Sequence, residues 1–245
     1  MSPPDRQRRW GWGVIGVMMV LWGSCPVDAE PVGSPASILK KGKWFMGAGT
    51  SLLAKRNLKG NSEAAAYQGG HVRGYGLTDR LSLYGKLGLA HFEVDDGSIK
   101  KKNDLSTTNG FGLNVVSGVQ IKSRFFESRS KRWEWDGSVQ YLDMRARHKG
   151  KNEARWHEWQ LATSVAASVH RLKPYVGVKY SVIDVFYRIR EDGQQLAQGR
   201  YKEDQPVGLF LGTDWALGRY EDVILNVESA FVDGAEVAVT IAYTF

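Results

Sequence analysis

Five histidines, His71, His91, His148, His157 and His170, are the side chains best suited to proton transfer near neutral pH. A general base must touch the proton it removes, and a nucleophile needs a base beside it. His91 with Asp95 and Asp96 is the best pairing on offer, yet Asp95-Asp96-Gly97 reads more simply as a turn. No His-x-Ser pair and no Gly-x-Ser-x-Gly elbow occurs, so no catalytic residue is expected. The histidines also lack ligand spacing, so neither a metal nor a cofactor is expected. The single cysteine, Cys25, lies in a leader segment, which leaves no disulfide or thiol chemistry to the chain that follows.

The remaining chemistry is charge at alternate positions. Lys86, Asn114, Glu134, Asp136, Gln140, Glu158, Gln160, Lys179, Asp214, Asn226, Glu228 and Glu236 each alternate with apolar neighbours. Such a pattern belongs to strands with two unlike faces. It is clearest at the C-terminus, where Val237, Val239, Ile241, Tyr243 and Phe245 alternate with Glu236, Ala238, Thr240, Ala242 and Thr244. The same period recurs at Leu81, Leu83, Leu87 and Leu89, at Val207, Leu209, Leu211, Trp215 and Leu217, and at Val223, Leu225, Val227 and Phe231.

The elements that must carry these residues are therefore strands. Between residues 43 and 245 only Pro174 and Pro206 occur, both where a strand would start. Ten strands are expected, at about 43–56, 67–76, 81–94, 109–123, 133–147, 155–169, 174–190, 204–217, 223–231 and 236–245. Short connections alternate with longer ones, the latter including 95–108 and 191–203. The fold class is all-β, an antiparallel up-and-down barrel of about ten strands, with eight as the smaller alternative.

Compartment follows from the leader. Arg6, Arg8 and Arg9 precede an apolar stretch from Trp10 to Trp22, and Val27-Asp28-Ala29 has the spacing of a signal-peptidase site. Residues 1–29 read as a signal peptide, 30–42 as a short periplasmic tail and 43–245 as the barrel. A lipoprotein signal on Cys25 is the alternative, with Trp22 a poor fit to it. The 245-residue chain carries a net charge of +7, and three arginines and two aspartates fall in the leader, so +6 remains. Export disfavours nucleic acid as the basic chain's partner and favours lipid phosphates.

A soluble sandwich also alternates, with its polar faces outward. Strands near 10 to 15 residues, the leader, and tryptophans close to strand ends (Trp44, Trp133, Trp135, Trp156, Trp159, Trp215) point instead to a membrane barrel with aromatic girdles. Two segments then carry a resemblance. The terminal strand Val239-Thr240-Ile241-Ala242-Tyr243-Thr244-Phe245 resembles the assembly signal of bacterial outer-membrane proteins, and Tyr75 to Gly88 resembles the second and third strands and periplasmic turn of small opacity-type and OmpA-like barrels. The resemblance implies residence in the cell outer membrane and recognition of Val239, Ile241, Tyr243 and Phe245 by the barrel-assembly machinery. Members are commonly eight-stranded, whereas ten strands are counted here.

With the apolar parity on lipid, Lys86, Glu134, Asp136, Glu158, Lys179, Asp214 and Glu228 line the lumen, with Arg73 a further candidate cation. Acids outnumber bases on that parity. The expected function is a monomeric structural barrel or a narrow cation-preferring pore. A lipid- or peptide-modifying enzyme and a surface adhesin are the alternatives. Two strands break phase, at Tyr141 to Met144 and at Ile183 to Arg188, and a bulge in each would return Asp143 and Asp184 to the interior. Lys100, Lys101, Lys102, Arg145, Arg147, His148, Lys149, Lys151 and Arg155 form a basic rim suited to lipopolysaccharide phosphates.

Overall fold

A computed structural model describes residues 38–59, 62–96, 114–128, 130, 133–148, 152–191, 194–218, 222–231 and 234–245. The signal peptide with its Cys25 alternative, Lys100 to Lys102, Lys149 and Lys151 lie outside these residues, as do the side chains of Asp95, Asp96, Asn114, Arg147 and His148. Eleven strands run in chain order: β1 (Trp44–Leu58), β2 (Ser62–Thr78), β3 (Leu81–Asp96), β4 (Asn114–Glu127), β5 (Trp133–His148), β6 (Asn152–Ala167), β7 (Leu172–Glu191), β8 (Gln194–Lys202), β9 (Val207–Leu217), β10 (Val223–Phe231) and β11 (Gly234–Thr244). All pair antiparallel, and β11 returns to β1, so ten strands close into a barrel with β8 as an addition to the ring.

Alternation builds the wall. Outward residues include Leu83, Leu87 and Leu89 on β3, Val119 and Ile121 on β4, Val139 on β5, Leu161 and Val165 on β6, and Val176, Val178, Tyr180 and Val182 on β7, all exposed. Inward residues at the same levels are Lys86, Gln120, Lys122, Gln140, Gln160, Ser164 and Lys179, all buried. A polar interior behind an exposed apolar exterior is the arrangement of a barrel bathed in lipid, because only hydrocarbon makes such an exterior favourable. Trp44 packs beside Tyr75 with ring centroids 4.7 Å apart, and Tyr141 beside Trp159 at 4.8 Å; these aromatics mark the two edges of the belt.

The ends are made by tight turns and one long arm. His170 takes a left-handed backbone (φ 55°) between β6 and β7, a conformation that histidine fills better than most non-glycine residues. Lower β7, from Leu172 to Tyr180, pairs with β9, whereas its upper part, from Asp184 to Glu191, pairs with β8. The chain between β8 and β9 then crosses to the top of β1: Leu58 bridges Glu203, Lys59 N donates to Lys202 O at 2.9 Å and Asp204 N to Asn57 O at 3.4 Å. The upper wall is thus made by β1 to β8, and β9 to β11 stop beneath it.

Two expectations are corrected. Residues 191–203 are not a loop, because Gln194 to Lys202 form β8. Nor is there a bulge at Asp143 or Asp184: the ladders through both are unbroken, and both side chains point outward. What changes there is the polarity of the faces. Leu142, Met144, Trp156, Ile183 and Val185 point inward and are buried, while Asp143, Arg145, Arg155, His157 and Asp184 occupy the outer face. Above the lipid the barrel faces water, so its apolar residues turn inward.

Candidate functional site

The interior is crossed by polar contacts at three levels. Near the periplasmic mouth, Arg124 on β4 donates to Glu134 at 2.9 Å and Asp136 at 3.3 Å on β5, and Lys173 on β7 also pairs with Glu134. At mid-depth, Lys179 donates to Glu236 at 2.9 Å and Lys86 to Gln140 at 2.8 Å. Tyr175 donates to Glu228 at 2.7 Å, and Asn226 donates to Tyr175 and to Asp214, each at 2.8 Å. Gly212 leaves the wall bare where the Tyr175 hydroxyl lies, and any Cβ there would collide with it. Higher up, Arg56 on β1 reaches Glu158 on β6 at 3.1 Å and Glu203 at 2.6 and 3.0 Å, and Trp156 Nε1 donates to Glu158 at 3.0 Å.

Lys86, Glu134, Asp136, Glu158, Lys179, Asp214 and Glu228 are all buried in this interior, none more than 7% exposed. Arg73 is not among them: it is exposed on the outer face of β2, in register with Met46 and Gly85. The expected excess of acids narrows to one among the described residues, because Arg56, Lys122, Arg124 and Lys173 raise the inward cations to six against Glu134, Asp136, Glu158, Glu203, Asp214, Glu228 and Glu236. Arg56 enters through the register shift in β1 after Leu53, and Lys173 belongs to the start of β7, one residue before the expected strand. Lys122 shares the parity of Asn114 and was legible on that ground.

Both mouths are filled. Leu39 enters the periplasmic end, where it clusters with Phe45, Val72, Tyr84 and Ala242, and its N–H donates to Ser82 Oγ at 2.9 Å. Residues 38–42 of the expected tail are therefore docked against the barrel, with Gly42 N donating to Gly76 O at 2.9 Å and Gly76 N to Lys43 O at 3.0 Å. At the outer end the inward side chains Leu53, Leu58, Leu142, Met144, Trp156, Ile183 and Val185 are each at most 2% exposed.

Outside, His157 contacts Tyr141 at 3.1 Å and Asp143 at 3.6 Å, and Asp184 is its register partner on β7. This cluster was missed because its members come from three strands and share no local motif. Among the described residues no serine or threonine hydroxyl bonds to His157. His91 lies beside Tyr67, with ring centroids 6.3 Å apart. Hydrogen bonding from Arg200 holds the Asp184 carboxyl below its ordinary range, and the same contact raises the Arg200 guanidinium. Val239, Ile241 and Tyr243 line the outer face of β11 with Phe245 exposed just past its end, and Trp44 and Phe245 exchange backbone hydrogen bonds at 2.9 and 3.0 Å to close the barrel.

A closed barrel with an apolar exterior and a charged interior defines a transmembrane β-barrel. The chain is a small transmembrane β-barrel protein. No family model matches it, and no curated protein does. Among solved structures it is similar to the outer membrane protease OmpT from Escherichia coli (8% identity, TM-score 0.46, 88% of this chain and 100% of that one). It is also similar to the translocator domain of the autotransporter NalP from Neisseria meningitidis (7%, 0.47, 96% and 95%) and to the attachment invasion locus protein Ail of Yersinia pestis (8%, 0.40, 84% and 99%). Likenesses this distant carry no argument, and the assignment rests on the barrel's own polarity.

Proposed function

We propose that this protein is a structural, non-conducting and non-catalytic outer-membrane barrel. The observation that supports this reading is Arg56, which spans the lumen from β1 to Glu158 and Glu203 beneath a buried apolar lining. Buried charges are retained only where each finds a partner, and here cations from β1, β4 and β7 meet carboxylates. A cavity of about 20 Å³ beside Lys86, lined by Gly49, Gly70 and Gly88, has room for about one water and for no larger solute. A cation-preferring path would need a continuous water column, and Leu39 at one mouth with the buried apolar lining at the other speaks against one.

The test is planar-bilayer recording of the refolded mature protein. The expected result is no channel events in the wild type. Cation-selective events in the wild type would overturn the closed reading and restore the pore.

A further inference from the structure

Past the aromatic edge, the outer face of β5 to β8 carries four arginines around one phenylalanine. Arg145 and Arg155 are direct cross-strand partners, Phe186 is the partner of Arg155, and Arg200 is the partner of Phe186. The Arg188 guanidinium lies over the Phe186 ring, 5.4 Å from its centroid. Like charges placed directly opposite on neighbouring strands are destabilising, so the Arg145 and Arg155 pairing asks for an anion between them.

The carboxylates nearby do not meet that demand. Arg145 donates to Asp143 at 3.0 and 3.1 Å, and Arg200 is held by Asp184. Arg155 is exposed and has no carboxylate partner among the described residues. Arg188 faces Glu153 in register, and its Nε is buried without an acceptor. An unpartnered, buried guanidinium nitrogen beside an exposed arginine pair is a second and independent sign of a missing anion.

Depth identifies the anion. Arg145 and Arg155 stand four residues beyond Tyr141 and Trp159 on their own strands. At about 3.3 Å per residue and a tilt near 40°, that is roughly 10 Å above the girdle. The headgroup zone extends roughly 5 to 8 Å beyond the hydrocarbon, within reach of an arginine side chain. We propose that Arg145, Arg155 and Arg188, with Arg200 at the edge, bind phosphate groups of an outer-leaflet lipid, with Phe186 packing against its apolar or sugar portion. Guanidinium groups suit this because their paired donors match phosphate oxygens.

The test compares lipid retention by the refolded full-length mature barrel, read by native mass spectrometry, for a bis-phosphorylated glycolipid and for the same glycolipid without phosphates. Retention of the phosphorylated form should be about tenfold higher, and Arg155→Gln with Arg188→Gln should abolish most of the difference while leaving heat-modifiability unchanged. Equal retention of the two lipids by the wild type overturns the proposal without recourse to any variant. So does equal retention by wild type and a folded variant. Competition by millimolar inorganic phosphate that removes the preference would mark a free-anion site, and preference for a sulfated polysaccharide over the lipid would mark an adhesive surface; either result overturns it. Channel recordings are independent of every one of these outcomes.

Discussion

Along β5, β6 and β7 the same strands obey opposite rules on either side of Tyr141 and Trp159. Within the bilayer, Val139, Leu161 and Val178 face out while Gln140, Gln160 and Lys179 face in. Beyond it, Leu142, Trp156 and Val185 face in while Asp143, His157 and Asp184 face out. No bulge separates the two regions, so the strand geometry is unchanged and only the solvent differs. Polarity is set by what bathes each face, and the register stays constant across the boundary.

The strongest way to break the comparison is at Arg56, which lies where the two regimes meet. Arg56→Ala leaves Glu158 and Glu203 buried without their guanidinium, and about 3 to 5 kcal/mol of stability should be lost, measured by guanidinium unfolding of the refolded protein. A loss under about 1 kcal/mol would mean that water already reaches these carboxylates. Trp156→Ala removes the largest fully buried side chain of the outer region and the donor to Glu158, with an expected cost of about 3 to 5 kcal/mol in the same assay.

Two substitutions on one strand sharpen the contrast. Val178→Arg puts a charge on lipid and should cost about 2 to 4 kcal/mol, whereas Asp184→Arg, six residues further on the same outer face, should change unfolding by no more than about 0.5 kcal/mol beyond the loss of its contact with Arg200. Equal costs would place Asp184 in the hydrocarbon. The smallest effect concerns the Asp184 and Arg200 contact itself. A carboxyl held below its ordinary range contributes above that range and loses its contribution as pH falls through the lowered value. The contact should therefore persist at mildly acidic pH and open only in stronger acid, followed by the carboxyl resonance of Asp184 in an NMR titration.

The lipid-facing parity was legible because most spanning strands repeat it, as Val237, Val239 and Tyr243 do on β11, whereas the outer face of β2 carries His71 and Arg73. The outer region was legible only as a change of phase. Sequence alone cannot separate a bulge from a change of solvent, since both shift the apolar residues by one position. β8 was hidden for a related reason. Gln194 to Lys202 lies outside the ten-strand ring, its sequence carries no apolar alternation to read, and its pairing with β7 comes from the hairpin geometry. Arg56 and Lys173 escaped notice because a register shift and a strand start moved them into phase with the lumen. The Arg145 to Arg200 face could be read as basic, but which arginines meet, and around which ring, depended on four strands coming into register.

The β7 and β8 arm also bears on attack from outside the cell. A protease binds its substrate as an extended segment with free backbone donors and acceptors, so a paired strand resists cutting even when its sequence looks like a loop. The backbone of β8 is committed to β7 from Asp184 to Glu191, and its exit is tied to β1 at Leu58. Residues 194–202 are therefore shielded by their hydrogen bonds, and extracellular enzymes must look for unpaired chain elsewhere.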